Sequence, residues 1–353
     1  MEKIIICGNE GQFQEIKQRL NTQDADIIFF DLSKECLPRN LTSKDAIFIA
    51  ADDLQEKLIL ENLSDKANDI QIVNYSCFKK TSLDNPIKNI NQEFPYTGLI
   101  IGMSHSQCGI KAERLTDCLY CNCAAPSMDI FCHFNYLKIL AEAYPDKLKD
   151  MRHIIIELPY YIFNFDLSRF GTFVYTKLNY FDLFDDYHHF GETDVQRKKI
   201  AEFKIFKKIF RSENATPTHS ATKNPIRKIA KKIINKYRIA ANKDKVWRVI
   251  YQETVNENQK LWKELLALLR KACPNAKLTI LVMPFNPIFR RFHKKEISAM
   301  REVFIASLGV GDFEIIDHFS CLKRDCFFDD HCHLNEKGAL KYVKILQKAI
   351  VNR

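Results

Sequence analysis

A serine in the first third of the chain and an aspartate and histidine near its end have types and spacing that could perform chemistry. Ser104 follows the apolar run of residues 98–102, where the chain would turn from a buried strand into a helix. Asp330 precedes His333 by three residues, and a carboxylate at that spacing can hold Nδ1 of an imidazole so that Nε2 faces a serine hydroxyl. We therefore predict Ser104 as a nucleophile, His333 as its base and Asp330 as the residue that orients the base.

The same residues also have structural interpretations. A serine after a strand is often a helix cap, and Asp330 and His333 could be polar loop residues that lead to Asn335, the predicted N-cap of the last helix. The sequence leaves both interpretations open. The predicted helix is amphipathic, with apolar residues on one side at Leu340, Val343, Leu346 and Ile350.

Two series of short apolar runs predict the sheets that position these residues. Such runs, separated by helix-length or loop-length segments, favour parallel strands in α/β domains. Residues 84–97, with two prolines and little periodicity, are predicted to be a linker between the two series. The first series comprises residues 4–7, 27–30, 46–51 and 70–73, and the second comprises residues 98–102, 118–122, 153–158, 278–283 and 313–317.

The length of the chain favours two domains. A chain of 353 residues exceeds what one hydrophobic core usually organises, and its 46% apolar content can fill two cores. We predict an α/β protein with a small Rossmann-like domain at residues 1–90 and a second α/β domain at residues 97–353. A helical, basic insertion is predicted to interrupt the second domain at about residues 182–262, because no strand-like run occurs there.

The chemical residues and their order resemble a known superfamily. Gly102-Met103-Ser104 at the first strand-to-helix turn of the second series, with Asp330-x-x-His333 near the C-terminus, resembles the SGNH (GDSL-like) hydrolases and acyltransferases. The resemblance spans about residues 97–350 and implies a flavodoxin-like sheet. Two stretches, residues 102–110 and 122–129, look like the subset that includes the D-alanyl transfer protein of lipoteichoic acid synthesis and several polysaccharide O-acetylation proteins.

This resemblance implies serine-dependent acyl transfer or ester hydrolysis on a carbohydrate, an acylated glycan of the bacterial cell surface or its precursor. No cofactor is required, although an acyl donor such as acetyl-CoA is compatible with the chemistry. The alternative is a non-catalytic protein that binds a glycan or a nucleotide-sugar on the same scaffold. That alternative is favoured by the third block, where the family usually has an asparagine and this chain has Glu157 in Glu-Leu-Pro-Tyr-Tyr161.

Backbone amides are the expected oxyanion donors. The Ser104 amide at the start of a helix is the first candidate, and an amide in the turn of residues 122–125, assigned to Ala124, is the second. The expected glycine of the second block is absent after Asn122, and Met103 stands where the hydrolases usually have an acidic residue.

The N-terminal segment contains part of a dinucleotide-binding pattern. Gly8 and Gly11 follow the first apolar run, and Asp31 comes 20 residues after Gly11 at the end of the second run. Ile6 replaces the first glycine of the pattern. We therefore predict a Rossmann-like fold in which a nucleotide or nucleotide-sugar site at these residues is an open hypothesis, since the acid could also cap a turn.

Cysteine usage bears on metals and on location. Cys118-x-x-Cys121-x-Cys123, with Cys132, His133, Cys332 and nearby histidines, could be a metal site, but residues three apart on a strand point to opposite faces. No metal is predicted. The absence of a signal-peptide pattern and of a long apolar run predicts reduced thiols and a cytoplasmic protein, peripheral at the inner membrane surface in one interpretation.

Positive charge is concentrated in residues 197–248. That segment has 17 Lys and Arg against three acidic residues, which gives +14 and leaves −5 for the rest of the chain's +9. Ordinary packing of the stripe Ile226, Ile229, Ile233 and Tyr237, with solvated lysines, is the first interpretation. Contact with an anionic membrane surface, an acidic glycan or a phosphate-bearing donor is the second. Nucleic acid is not predicted as a partner, because no recognised binding module accompanies the charge.

Overall fold

The computed structural model describes residues 3–18, 20, 26–31, 45–50, 71–74, 95–170, 174–210, 245–328 and 330–351. The chain divides into two compact units. The first comprises Met1–Asp84 and Thr172–Pro217, and the second comprises Asn85–Gly171 and Thr218–Arg353. Each unit contains one parallel sheet, so the protein is a mixed α/β protein, as predicted.

The described strands match the apolar runs of the sequence closely. Interior strands of a parallel sheet are buried on both faces and therefore read as continuous apolar runs. Strands β1, β3, β5, β7 and β8 are buried in this way, whereas the edge strands β2 and β9 are only partly buried. The strands are β1 Lys3–Cys7, β2 Asp26–Phe30, β3 Ala46–Ile49, β4 Gln71–Asn74, β5 Gly98–Ile101, β6 Tyr120–Asn122, β7 His153–Glu157, β8 Lys277–Val282 and β9 Glu314–Asp317.

The helices of the described residues connect and cover these strands. The α-helices are α1 Glu10–Lys17, α2 Ser104–Gly109, α3 Ile130–Ala143, α4 Pro145–Lys149, α5 Val174–Phe184, α6 Asp194–Ile209, α7 Gln252–Ala272, α8 Pro287–Phe292, α9 Lys294–Leu308 and α10 Glu336–Val351. Short 3-10 turns occupy Ala112–Arg114, Ile162–Asn164, Lys245–Trp247 and Arg324–Cys326. Within the described residues, no helix combines the length and the apolar composition needed to cross a membrane.

The first unit contains the four-stranded sheet, in the order β2-β1-β3-β4. Residues 172–217 belong to this unit, whereas the predicted boundaries had placed them with the second sheet. The structure groups them with the first because α6 packs against β4. The described part of the predicted insertion contains helices and no named strand, as the pattern indicated.

The second unit contains the five-stranded sheet, in the order β6-β5-β7-β8-β9. β5 lies in the interior of the sheet, hydrogen-bonded to β6 on one side and β7 on the other. Cys118 was predicted on a strand but lies before β6, because β6 starts where Tyr120 pairs with Gly98, the first residue of β5. α10 packs Val343, Leu346 and Ile350 into the core of the second unit, as its sequence pattern predicted, whereas Leu340 of the same predicted stripe is only half-buried.

Candidate active site

Ser104 lies at the carboxyl end of a central strand. It is the first residue of α2, separated from β5 only by Gly102 and Met103. The carboxyl edge of a parallel sheet is where ligands bind in open α/β proteins, and the first amides of a helix have no acceptor within it. Ser104 therefore occupies a position where its side-chain hydroxyl and its backbone amide, which has no acceptor within the helix, can both face a ligand.

Ser104, His333 and Asp330 are joined by hydrogen bonds. His333 Nε2 lies 2.8 Å from Ser104 Oγ, and His333 Nδ1 lies 3.0 Å from Asp330 Oδ2. With the aspartate ionised, Nδ1 carries the proton that is donated to Asp330, and Nε2 accepts the hydroxyl proton of Ser104. The fold thus brings together a serine and a histidine that are 229 positions apart in the chain.

The Asp330 carboxylate is stabilised in its charged form. Burial alone would raise its pKa, but the hydrogen bond and the charge of His333, together with the backbone amides of His333 and Cys332, lower the pKa to about 2. The two amides donate to Asp330 Oδ1, from His333 at 2.7 Å and from Cys332 at 3.0 Å. Asp330 is therefore negatively charged at neutral pH and ready to hold an imidazolium at His333.

The loop that carries the pair is anchored on both sides. Asn286 Nδ2 donates to the Asp330 carbonyl at 2.9 Å, and the Phe328 amide donates to the His333 carbonyl at 2.9 Å. Asn335 accepts the Gly338 amide at 2.9 Å, which confirms it as the N-cap of α10. The loop leads into a helix cap, as one interpretation of the sequence held, and it also presents His333 to Ser104.

Ser104 is not the cap of α2. The N-cap is Met103, which makes no side-chain capping bond, and the Ser104 hydroxyl points to His333 instead. The structure therefore does not support the alternative interpretation of Ser104 as a capping serine.

Glu157 holds the turn that carries the serine. This residue ends β7 with 0% of its surface exposed, and its carboxylate accepts the Met103 amide at 2.8 Å and the Ser106 hydroxyl at 3.3 Å. Its other oxygen lies 3.1 Å from His105 Nδ1. In the sequence, Glu157 stands out only as a departure from a family pattern. A carboxylate directly after three isoleucines of a buried strand, at the edge that carries the predicted site, was the signal that could have identified it.

Gly102 permits this close approach. A Cβ at this position would lie 2.2 Å from Ser106 Oγ and 2.7 Å from Glu157 Cβ, closer than side chains tolerate. Glycine is thus required where the turn before Ser104 meets the end of β7.

The two predicted oxyanion donors differ in their surroundings. The Ser104 amide starts α2, whereas the Ala124 amide donates to Asn122 Oδ1 at 3.1 Å. The neighbouring amides of Cys123 and Ala125 donate to the carbonyls of Ile100 and Gly102, respectively. All three amides of the second turn are therefore engaged in the structure. The role of Ala124 as an oxyanion donor stays a prediction. It requires the Ala124 amide to leave Asn122 Oδ1.

Comparison with protein-family models and with curated proteins gave no match to this chain. Its function is therefore inferred from the residues of the site and their geometry.

Histidine and phenylalanine rings line one side of the site. The His105 ring lies 5.4 Å from His333 and 5.5 Å from Phe285, and His331 lies 5.2 Å from Phe289, between ring centroids. Burial, followed by the charge of His105, lowers the pKa of His331 to about 4. His331 is therefore neutral at neutral pH and packs as an aromatic ring, whereas His333 has the carboxylate partner.

Of the residues that the sequence raised as an alternative metal site, Cys332 lies in a cluster of ligand-type side chains, whereas the Cys118-x-x-Cys121-x-Cys123 pattern supplies no member of such a cluster among the described residues. Cys121 and Cys123 touch through their sulfurs at 3.4 Å, but neither belongs to a cluster of three ligand-type residues among those that the structure describes. The ten described cysteines form no disulfide with one another. Among the described residues of the second unit, the side chains that form a cluster of ligand type are those of His105, Cys332 and His333.

The predicted nucleotide-binding residues lie at the edge of the first sheet. Gly8 follows β1 and Asp31 follows β2, which are neighbouring parallel strands, and Gly11 lies within α1. Asn9 and Gln12 form a capping box, in which each side chain accepts the other residue's backbone amide. These two amides are therefore engaged at the helix start, and a nucleotide site here stays a prediction.

The basic segment is described in part. α6 covers its beginning, with Lys207 paired to Asp182 and Arg197 paired to Asp194. The predicted stripe Ile226, Ile229, Ile233 and Tyr237 lies outside the described residues.

Proposed function

We propose that this chain performs serine-dependent acyl transfer or ester hydrolysis, with Ser104 as nucleophile, His333 as general base and Asp330 as the residue that orients His333. One observation carries the proposal: the continuous hydrogen-bonded chain from Ser104 Oγ through both ring nitrogens of His333 to Asp330 Oδ2. Nucleophile, base and orienting carboxylate at these distances are the parts that acyl transfer needs.

The first half of the proposed reaction forms an acyl-enzyme. Ser104 Oγ attacks the acyl carbonyl carbon while His333 Nε2 takes the hydroxyl proton, and Asp330 stabilises the resulting imidazolium. The carbonyl oxygen becomes an oxyanion that the Ser104 amide can stabilise. Collapse of this intermediate breaks the bond to the leaving group, an alcohol from an ester or a thiol from a thioester donor, which receives the proton from His333.

The second half returns the enzyme to its starting state. A water molecule or a sugar hydroxyl gives its proton to His333 Nε2 and attacks the acyl-enzyme carbonyl. The Ser104 oxygen then leaves and recovers its proton from His333. Hydrolysis and transfer differ only in which acceptor enters the site, so both belong to the same proposal.

The substrate proposal follows the superfamily resemblance. We propose an SGNH-like, flavodoxin-like second domain that acts on an acylated glycan of the bacterial surface or its precursor in the cytoplasm. The strand order of the second sheet supports the fold, since β6-β5-β7-β8-β9 follows the flavodoxin-like order 2-1-3-4-5. An acyl donor such as acetyl-CoA and a Rossmann-like nucleotide site near Gly8 remain parts of the proposal.

The basic segment of residues 197–248 is proposed to contact an anionic surface, either a membrane or an acidic glycan. Its concentrated charge supports this proposal, since the segment contains 17 Lys and Arg and only three acidic residues. Salt-sensitive binding to anionic vesicles would support the proposal, and equal binding to neutral vesicles would count against it.

Turnover of a small acetyl ester by Ser104→Ala tests the proposed reaction. We expect a loss of at least about 10³-fold in kcat, because removing the nucleophile disables the whole hydrogen-bonded unit. Circular dichroism and thermal unfolding control for the fold, which should survive, since the Ser104 side chain caps no helix. Turnover near that of the wild-type protein would overturn the assignment.

A further inference from the structure

Three side chains around Ser104 have the composition of a metal site. A ring nitrogen of His105, the sulfur of Cys332 and a ring nitrogen of His333 all lie within 4.8 Å of one another. The Cys332 sulfur lies 3.6 Å from His333 Nδ1. A tetrahedral zinc ion, with Zn–S near 2.3 Å and Zn–N near 2.0–2.1 Å, separates such a pair of ligand atoms by roughly 3.6 Å.

We propose that His105, Cys332 and His333 bind a thiophilic divalent cation of the Zn²⁺ class, and that the bound ion switches off Ser104. A thiolate and two imidazoles are the ligands that Zn²⁺ takes in proteins, with a fourth position left to water. Alkaline-earth cations prefer oxygen ligands and are not expected here.

The surroundings of His105 fit a ligand role. Metal-binding histidines commonly hold a carboxylate with the nitrogen that does not bind the ion, which fixes the ring. Glu157 Oε1 lies 3.1 Å from His105 Nδ1, so Nε2 is the nitrogen left for an ion. The hydrogen bonds of Glu157 to the Met103 amide and the Ser106 hydroxyl hold the carboxylate in place.

The exposure of the three side chains defines how an ion reaches them. Cys332 and His105 are each 3% exposed, whereas 31% of the His333 side chain is exposed. An ion therefore arrives on the His333 side, where the acyl substrate would also arrive. Binding displaces the thiol proton of Cys332 to solvent, as thiolate coordination requires.

Coordination of His333 at either ring nitrogen prevents the ring from accepting the Ser104 proton. At Nε2 the ion takes the lone pair that receives the Ser104 proton. At Nδ1 it displaces the contact with Asp330, and the neutral ring then carries its proton on Nε2, which can no longer accept the Ser104 proton. The inhibition rests on the proposed function, but the binding of the ion does not.

Cobalt binding tests the site without any assay of activity. Titration of the reduced protein with Co²⁺ should give a near-ultraviolet thiolate-to-cobalt charge-transfer band that saturates at one equivalent and disappears on addition of Zn²⁺. Cys332→Ser should lack the band and bind at least about tenfold more weakly, since even loss of a supporting partner costs about 10- to 100-fold in affinity. Cys108→Ser, at an exposed thiol on the same helix as Ser104, is the matched control and should bind as the wild type does.

Two further results decide the proposal. His105→Gln keeps a polar partner for Glu157 and should also weaken Co²⁺ binding by at least about tenfold, so the test survives if Cys332→Ser fails to fold. An unchanged charge-transfer band in a folded Cys332→Ser, or unchanged affinity in His105→Gln, overturns the site.

Trapping of Ser104 by a fluorophosphonate, with and without Zn²⁺, tests the consequence. The labelling rate of the wild-type protein should fall at least about tenfold at a saturating Zn²⁺ concentration, whereas Cys332→Ser should keep the rate of its own zinc-free sample at that concentration. Co²⁺ binding with zinc-insensitive labelling would overturn the inhibition and leave the site standing. No labelling without Zn²⁺ would overturn the proposed function and the inhibition together, while the cobalt titration would still decide the site.

Discussion

His333 is held by partners at both ring nitrogens, and its neighbour His331 is held in a different way. His333 contacts Ser104 on one side and Asp330 on the other. The His331 ring packs beside Phe285 and Phe289, and its carbonyl accepts the Asn286 amide at 2.9 Å. Two histidines separated by one residue therefore differ in their contacts. His333 lies in a hydrogen-bonded chain with Ser104 and Asp330, whereas His331 packs among aromatic rings.

Replacing the two histidines separately should separate these roles. His333→Ala is expected to lower kcat for a small acetyl ester by at least about 10³-fold, because the base and its link to Asp330 are lost together. His331→Ala is expected to lower kcat by less than about tenfold but to lower the thermal midpoint, because it leaves a cavity beside the two phenylalanines. Steady-state kinetics and thermal unfolding of both variants measure this, and equal losses of turnover would leave the base unassigned.

The sequence predicted some residues of this site and missed others. Ser104, Asp330 and His333 were predicted because their types and local spacing are visible in the sequence. Glu157 and Asn122 act through contacts with residues 54 and 16 positions away, and no local pattern reports such pairs. The engagement of the Ala124 amide depends on the orientation of the Asn122 side chain, which the sequence does not contain.

At the scale of the elements, the strands were predictable and the grouping of segments was not. Parallel strands buried on both faces leave continuous apolar runs. α2 has only six residues, which is too short for a helical period to show. The grouping of residues 172–217 with the first sheet depends on packing of α6 against β4, a contact between segments distant in the chain.

A row of residues crosses the amino-terminal edge of the second sheet. Gly98 on β5 pairs with Tyr120 on β6 and with His153 on β7. The Tyr120 ring covers Gly98, and its hydroxyl bonds to Asp117 at 2.7 Å and also contacts His153 Nδ1. His153 Nε2 lies 2.8 Å from Thr279 Oγ1 on β8. Tyr120 therefore reaches across β5 only because residue 98 has no side chain.

Gly98→Ala should destabilise the second unit through this contact. A Cβ at position 98 would lie 2.4 Å from the Tyr120 ring, and overpacking of this kind costs about 1–3 kcal/mol of the free energy of unfolding. Urea unfolding measures the cost. The same substitution in a Tyr120→Ala background should cost at least about 1 kcal/mol less, since the ring is gone. Equal costs in the two backgrounds would show that the ring is not the cause.

At the scale of the whole molecule, buried histidines connect stability to pH. His133 on α3 is 0% exposed, and neither ring nitrogen has a hydrogen-bond partner among the described residues. Burial lowers its pKa to about 4, although Glu157 acts in the opposite direction. The unfolded chain, with an ordinary histidine pKa near 6.5, therefore binds the proton more tightly than the folded one. The contribution of neutral His133 to the free energy of unfolding is fully present above about pH 6.5. It is lost as the pH falls towards about 4.

His133→Leu should remove this part of the pH dependence. Relative to the variant, the wild-type protein should lose about 1.4 kcal/mol of unfolding free energy per pH unit below about pH 6.5. Urea unfolding between pH 7.5 and pH 5, followed by tryptophan fluorescence, measures it, since Trp247 and Trp262 lie in the same compact unit as His133. The titration of His331 contributes equally to the unfolding free energy of both proteins, so this contribution cancels in the difference. Parallel pH profiles for the two proteins would contradict the assignment.

The central claim, that Ser104 is a nucleophile activated by His333, is tested most directly by mapping the adduct of a fluorophosphonate probe. Intact-protein mass spectrometry should show a single adduct on the wild-type protein, and peptide mapping should locate it on Ser104. Ser104→Ala should take up no probe, while Ser106→Ala, two residues along the same helix, should still be labelled at Ser104. A well-folded wild-type protein that takes up no probe, or takes it up at another residue, would contradict the claim and favour a protein that binds its glycan or nucleotide-sugar without chemistry.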